Sequence, residues 1–120
     1  MSTVVAQTLS NGSVSTSTAN CIQGSAKAWV NYNGVAQSVR SSYNVSSVTY
    51  VSTGNYTVNF TNAMPDANYN FVFGQQPQAD SIFSSKLDFN QTLSAGSIRI
   101  TTGSSTAVTQ ALTMCVTIFR

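Results

Sequence analysis

The sequence predicts an all-β fold: an antiparallel β-sandwich, jelly-roll-like or barrel-like, with about eight short strands. The stretch from Tyr43 to Phe73 alternates apolar and polar residues with a period of two, as half-buried strands do. Turn-forming residues separate such segments along most of the chain. No window of helical length carries apolar residues at helical spacing together with good helix formers, and Glu is absent.

The clearest alternation lies in the segment GNYTVNFT. Tyr56, Val58 and Phe60 point to one face of the predicted strand, and the intervening Asn and Thr residues point to the other. Similar segments precede and follow it across short turns, so the sequence predicts a meander of three consecutive strands. The predicted strands cover residues 45–50, 55–61 and 69–73, and the predicted turns cover 52–55 and 64–68.

The chain before this meander divides into two parts. Residues 1–25 are weakly patterned and predict an N-terminal arm or edge segment, which becomes ordered against a partner. Within the arm, Val4, Val5 and Leu9 predict a short strand, and Asn11-Gly12 predicts a turn. A β-sandwich domain is predicted for residues 26–120.

The first predicted strand of the domain runs from Ala26 to Tyr32. Ala28, Val30 and Tyr32 share one face of it, which places Trp29 on the opposite face. The strand is therefore either covered on both sides or turns Trp29 towards a neighbouring subunit. Asn33-Gly34 predicts a hairpin turn, after which the chain returns through residues 35–40.

The chain after the meander predicts an exposed loop and three further strands. The loop, residues 74–81, contains a glycine and a proline. The last strand is predicted to place Val108, Leu112 and Met114 on one face, with Ala111 on the other. The three strands are predicted at residues 82–89, 97–102 and 108–118.

Composition limits the possible functions. Only 7% of the residues are charged, against about 25% in typical soluble domains, and Ser, Thr, Asn and Gln make up nearly half of the chain. The five Lys and Arg residues are scattered and form no cluster of the kind that binds nucleic acid. No apolar run is long enough for a membrane-spanning helix, and residues 1–13 lack a secretory signal pattern. We therefore expect the chain to fold in a cytoplasm, with Cys21 and Cys115 as buried free thiols rather than a disulfide.

The sequence offers few groups for catalysis. His is absent, which removes the usual general base, the Ser-His-Asp arrangement and most zinc sites, and no cofactor or metal motif is present. Asp80 and Asp88 flank a predicted strand and are the only candidates for a glycosidase-like carboxylate pair, although turn-capping roles are the simpler interpretation. Asp66 follows a proline and predicts a turn cap. We expect no enzymatic activity.

Aromatic residues are the other candidates for function. Trp29, Tyr43 and Tyr50 could stack on sugar rings or form a subunit interface, and they could equally fill the core. Five Asn-X-Ser/Thr triplets are present, but a chain so rich in these residues contains several by chance. Their asparagines are Asn11, Asn44, Asn55, Asn59 and Asn90.

Residues 24–73 resemble a recurrent module of bacteriophage virion proteins. The segments GSAKAWVNYNGV, SYNVSSVT and GNYTVNFTNAMPDANY are similar to tail-fibre and fibre-like proteins of marine and cyanobacterial podoviruses. The resemblance implies a small all-β structural domain in a virion, commonly trimeric, with no catalytic residues. A typical fibre has an attachment domain and a long shaft before such a module, whereas only about 25 residues precede it here.

Three hypotheses follow from these observations. The first is a non-enzymatic, homotrimeric virion protein of the tail-fibre or tip class that contacts a host surface glycan or protein through loops such as 74–81. The second is a capsid decoration protein that stabilises the shell through its N-terminal arm. The third is a carbohydrate-binding module.

Overall fold

The computed structural model describes residues 2–78, 84–88, 91–103 and 107–120. Within these ranges the chain forms ten strands and one short helix. Their bounds are β1 (Thr8–Ser10), β2 (Ser15–Ser17), α1 (Thr18–Gly24), β3 (Ala26–Asn33), β4 (Ser38–Tyr43), β5 (Val45–Ser52), β6 (Asn55–Phe60), β7 (Asn70–Pro77), β8 (Ser84–Leu87), β9 (Ser97–Gly103) and β10 (Ala111–Phe119).

Two four-stranded antiparallel sheets form the body of the protein. The first sheet has the strand order β4-β3-β10-β7, and the second has the order β5-β6-β9-β8. Their inner faces share one cluster of buried apolar side chains. This arrangement confirms the predicted all-β sandwich.

Alternation places the core residues where the sequence predicts them. Ala28, Val30 and Tyr32 on β3 are buried, as are the apolar residues of β6. The rings of Tyr32 and Tyr56 meet edge to face across the sandwich, with centroids 5.4 Å apart. The Tyr56 hydroxyl donates a hydrogen bond to the carbonyl of Gly34 in the β3–β4 turn (3.3 Å). The two sheets are therefore joined by both apolar packing and a polar contact.

The predicted meander is wrong in its third strand. β5 and β6 form the predicted hairpin, but β6 pairs on its other side with β9, so that β7 joins the first sheet beside β10. The connection that crosses between the sheets buries Met64 and Tyr69. The Tyr69 hydroxyl donates to the carbonyls of Ser94 (3.0 Å) and Ser97 (3.1 Å), which fixes the end of this connection. Alternation alone does not specify which strand becomes a neighbour.

Two predictions are wrong in part: the exposed loop after the meander and the faces of the last strand. Residues 74–77 of the predicted loop continue strand β7, and the loop's residues 79–81 lie outside the described residues. In β10, the pairing with β7 shifts register between Ala111 and Thr113. This irregularity buries Ala111 and exposes Leu112, the reverse of the prediction. The strand predicted at 82–89 is present as β8, and residues 82, 83 and 89 are outside the described ranges.

The N-terminal arm lies on the outside of the molecule. β1 and β2 form a small hairpin around the predicted Asn11-Gly12 turn, and none of residues 2–25 is buried. Helix α1, which was not expected from the sequence, is capped by the hydroxyl of Ser17, which accepts a hydrogen bond from the Asn20 backbone amide. Across the described residues, no helix combines the length and apolarity that a membrane crossing requires. The division of the chain at residue 25 stays a prediction.

Candidate binding site

The outer face of the first sheet brings two of the predicted aromatic residues together. Trp29 on β3 lies directly opposite Tyr43 on β4 in the antiparallel register, so both side chains leave the sheet on the same side. Trp29 is 37% exposed and Tyr43 is 57% exposed, although both belong to well-paired strands. The rigid backbone therefore presents an aromatic pair to the surroundings.

The pair belongs to a row that crosses the whole sheet. Thr117 on β10 is opposite Trp29, and Val72 on β7 is opposite Thr117. Val72 is 55% exposed. We call these four residues, Tyr43, Trp29, Thr117 and Val72, the aromatic row. It has no charged member, so a partner can cover it without desolvating an ion.

Arg40 lies beside the row but is already engaged. Its guanidinium donates to the Thr113 hydroxyl (2.8 Å), the Leu112 carbonyl (3.0 Å) and the Asn31 side-chain oxygen (3.3 Å). These contacts reach from β4 over β3 to β10. Arg40 therefore ties three strands together.

The outer face of the second sheet differs in chemistry. Asn59 donates to the hydroxyls of Ser47 (3.0 Å) and Thr49 (2.9 Å), and Asn55 accepts from the Thr101 hydroxyl (2.6 Å). The polar groups of this face thus bind one another. Of the two outer faces, the first sheet offers the aromatic contact surface.

Tyr50 lies apart from this surface. It pairs with Tyr56 across the β5–β6 hairpin, and the two rings meet edge to face with centroids 6.1 Å apart. Tyr50 therefore packs at the margin of the core rather than beside Trp29. Burial, together with repulsion from ionised Tyr32 and Tyr50, raises the pKa of Tyr56 to about 12.

A cleft of about 530 Å³ opens next to Tyr43, where the ends of several strands meet. Such a volume is typical of small-ligand sites. Met64 and Pro65 contribute an apolar floor, and Tyr43 provides an aromatic wall. The polar and charged side chains that line the cleft include Lys27, Thr61, Asn62 and Arg120.

Asn44 holds the cleft together. It connects β4 to β5 with a left-handed backbone (φ 53°), a conformation that Asn tolerates better than most residues. Its side-chain amide donates to the carbonyls of Lys27 (2.9 Å) and Asn62 (3.1 Å), and its side-chain oxygen accepts from the Asn62 backbone amide (2.8 Å). Three separate segments are thereby fixed around the cleft.

The two cations of the cleft have different surroundings. Lys27 donates to the carbonyl of Ile22 and to the Ser25 hydroxyl (2.8 Å), which leaves its charge without a carboxylate partner among the described residues. Arg120 donates from Nε (3.1 Å) and Nη2 (2.6 Å) to the carboxylate of Asp66. These hydrogen bonds with Arg120, and a further one from the Asn68 amide, lower the pKa of Asp66.

The two acidic residues that the structure describes, Asp66 and Asp88, each pair with an arginine and do not form a catalytic pair. Asp66 accepts from the Asn68 amide (2.8 Å), which confirms the predicted turn cap. Asp88 pairs with Arg99 (3.2 Å), and Asp80 lies outside the described residues. Among the residues that the structure describes, His, Cys, Asp and Glu form no group of three that could hold a metal ion.

The cysteines are free thiols, as predicted, but they are half-buried rather than buried. Cys115 lies between Asn31 and Gly74 on the first sheet, on the same outer face as Trp29. Thr113 and Thr117, which lie on the same face of β10 as Cys115, are polar, so the sequence itself indicates that Cys115 points outward.

Of the residues that line the cleft, Tyr43 was predicted from the sequence as a candidate contact and the others were not; Trp29 lies opposite Tyr43 but does not line the cleft. Lys27, Asn62 and Arg120 are far apart in the sequence and come together only when the strands assemble. Asn44 follows Tyr43 between two strand patterns, and an Asn in that position is a recognisable signal for a left-handed turn. Comparisons of the chain with models of known protein families, with curated proteins and with solved structures gave no match.

Proposed function

We propose that this protein is a non-enzymatic structural protein of a bacteriophage virion, of the tail-fibre or tip class, and that it takes part in attachment to the host surface. The observation that carries the proposal is the aromatic row, in which Trp29 and Tyr43 stand exposed on paired strands. Aromatic side chains on a rigid sheet provide contact area at a low cost in conformational entropy. The proposal includes no cofactor, metal or nucleic acid.

The sequence supports the same class of protein. Residues 24–73 resemble the fibre module, and the low charge gives a surface whose contacts depend little on salt. The chain also lacks His, the commonest general base.

The proposal includes a homotrimer. Its support is the resemblance, because such modules are commonly trimeric, together with the exposed aromatic row, which a neighbouring subunit could cover in part. Light scattering on the purified chain at micromolar concentration measures its mass directly. A mass of three chains is the expected result, and a monomer would contradict this part of the proposal.

A capsid decoration protein is the second candidate, and the N-terminal arm favours it. Val4 and Val5 are each 90% exposed, and Val14 and Ile22 also point away from the body. An arm with several exposed apolar side chains suits a segment that lies across neighbouring capsid subunits. In this case the arm, rather than the aromatic row, would make the principal contact.

Copy number separates the two candidates. Quantitative mass spectrometry of purified particles, with the major capsid protein as the internal standard, gives the number of chains per virion. The fibre class predicts a few dozen copies or fewer, whereas hundreds of copies would establish decoration. Absence of the chain from purified particles would overturn both and favour the free carbohydrate-binding module.

A further inference from the structure

We propose that the cleft beside Tyr43 binds a carboxylate-bearing sugar residue, such as a hexuronic acid, of a surface glycan. This inference rests on the proposed attachment function, to which it adds the class of ligand and the residues that select it. It starts from the juxtaposition of one exposed aromatic ring, two cations and a set of amide and hydroxyl groups around a single cleft.

The aromatic wall suits the apolar face of a sugar ring. Tyr43 is more than half exposed, and its backbone is fixed twice, by pairing with Trp29 and by the adjacent Asn44 corner. A pyranose ring presents C–H groups on one face and hydroxyls around its edge. A sugar ring stacked on Tyr43 would bring those hydroxyls near the polar side chains of Thr61 and Asn62, which also line the cleft.

The charges select an acidic sugar. Lys27 uses two of its three N–H donors on Ile22 and Ser25, so one remains for a ligand. Arg120 binds Asp66 through Nε and Nη2, which leaves the N–H groups of Nη1 available. Among the described residues, no side chain that lines the cleft is a carboxylate, and Asp66, the partner of Arg120, is not among the lining residues. Arg120 is paired with Asp66, whereas Lys27 has no carboxylate partner among the described residues, so Lys27 is the uncompensated charge that an acidic ligand would meet.

The site is already assembled in the free protein. The hydrogen bonds of Asn44 fix the Lys27 carbonyl and the backbone of Asn62 relative to each other, so the walls need no rearrangement to accept a ligand. A preformed cleft with an apolar platform and a few convergent polar groups is the usual form of a small-ligand site.

Isothermal titration of the full chain tests the proposal with two matched probes, trigalacturonate and its fully methyl-esterified form. The acid should bind about tenfold more tightly than the ester at low salt, because one charge-assisted contact is worth about that factor. Lys27→Gln should remove most of this preference, and Tyr43→Ala should weaken both probes about fivefold. Lys86→Gln, the same charge change at an exposed residue of β8, should leave both affinities within about twofold.

Several outcomes would overturn the proposal. Equal affinity for the acid and the ester would show that the cations do not select the ligand. No binding of either probe at millimolar concentration would show that the cleft is not a site for acidic sugars. If inorganic phosphate binds as tightly as the trisaccharide and Tyr43→Ala has no effect, the cleft is a simple anion site. Melting curves of each variant separate a binding loss from misfolding. None of these results changes the copy number per virion, so failure here is distinguishable from failure of the proposed function.

Discussion

Replacement of Asn44 tests how the corner between β4 and β5 stabilises the protein. Asn44→Ala removes four side-chain hydrogen bonds of 2.8, 2.9, 3.1 and 3.3 Å. At about 1 kcal/mol net for each bond, and less where water replaces a partner, the loss is about 2–3 kcal/mol. Alanine at a φ of 53° adds about 1 kcal/mol of backbone strain. We therefore expect the free energy of unfolding to fall by about 3–4 kcal/mol.

Two glycine variants separate the hydrogen bonds from the backbone strain. Glycine adopts the left-handed conformation readily, so Asn44→Gly should cost about 2–3 kcal/mol, mainly from the lost bonds. Gln37 has nearly the same backbone conformation (φ 52°) but an exposed side chain, so Gln37→Gly should be neutral or stabilising by up to about 1 kcal/mol.

Urea denaturation measures these differences as shifts of the transition midpoint, with an unchanged dependence of the free energy of unfolding on urea concentration. Asn44→Ala should lower the midpoint most, followed by Asn44→Gly, with Gln37→Gly at or above the wild type. If Asn44→Gly costs no more than Gln37→Gly, the side-chain hydrogen bonds of Asn44 contribute nothing to stability, which would contradict this prediction.

Three other predictions concern the core and the charged pair. Gly34→Ala should lower the free energy of unfolding by about 2–4 kcal/mol, because the new Cβ would lie 2.6 Å from both the Ala111 carbonyl and the Tyr56 hydroxyl oxygen. Thermal or urea unfolding measures this loss, and a neutral result would contradict the close packing at Gly34. The raised pKa of Tyr56 (about 12, against 10.0 when unfolded) means that its contribution to stability is complete below pH 10 and is lost between pH 10 and 12. Tyr56→Phe should therefore flatten the alkaline loss of stability, and an unchanged slope would contradict the assignment. The pKa of Asp66 is lowered, so its contribution to the free energy of unfolding is present above pH 4 and disappears as the pH falls below about 4. Asp66→Asn should therefore reduce the loss of stability at acid pH, measured by melting curves from pH 2 to 6. An unaltered acid dependence would count against the ion pair with Arg120.

The local features of the fold follow from the sequence because they depend on neighbouring residues. Alternation in β3 assigns Ala28, Val30 and Tyr32 to the core and Trp29 to the outer face, since successive strand residues point to opposite sides. The Asp66 turn cap is local in the same sense. Such patterns need no knowledge of the rest of the chain.

Strand order and the cleft depend on long-range packing. β7 has the alternation of a third meander strand, yet it joins the other sheet because β9 occupies the free side of β6. The irregularity in β10 reverses the faces of Ala111 and Leu112, and the preceding residues give no turn signal for it. Lys27 on β3 and Arg120 after β10 meet at the cleft because these two strands, which are far apart in the sequence, pair in the first sheet.

The most direct test of the central proposal is a competition for host-cell adsorption. Virions are mixed with host cells in the presence of excess purified chain, either wild type or Trp29→Ala/Tyr43→Ala, and the unadsorbed particles are counted over time. We expect the wild-type chain to slow adsorption and the double variant, shown to be folded by its melting curve, to have no effect. Adsorption that is unaffected by the wild-type chain, or slowed equally by both, would contradict attachment through the aromatic row.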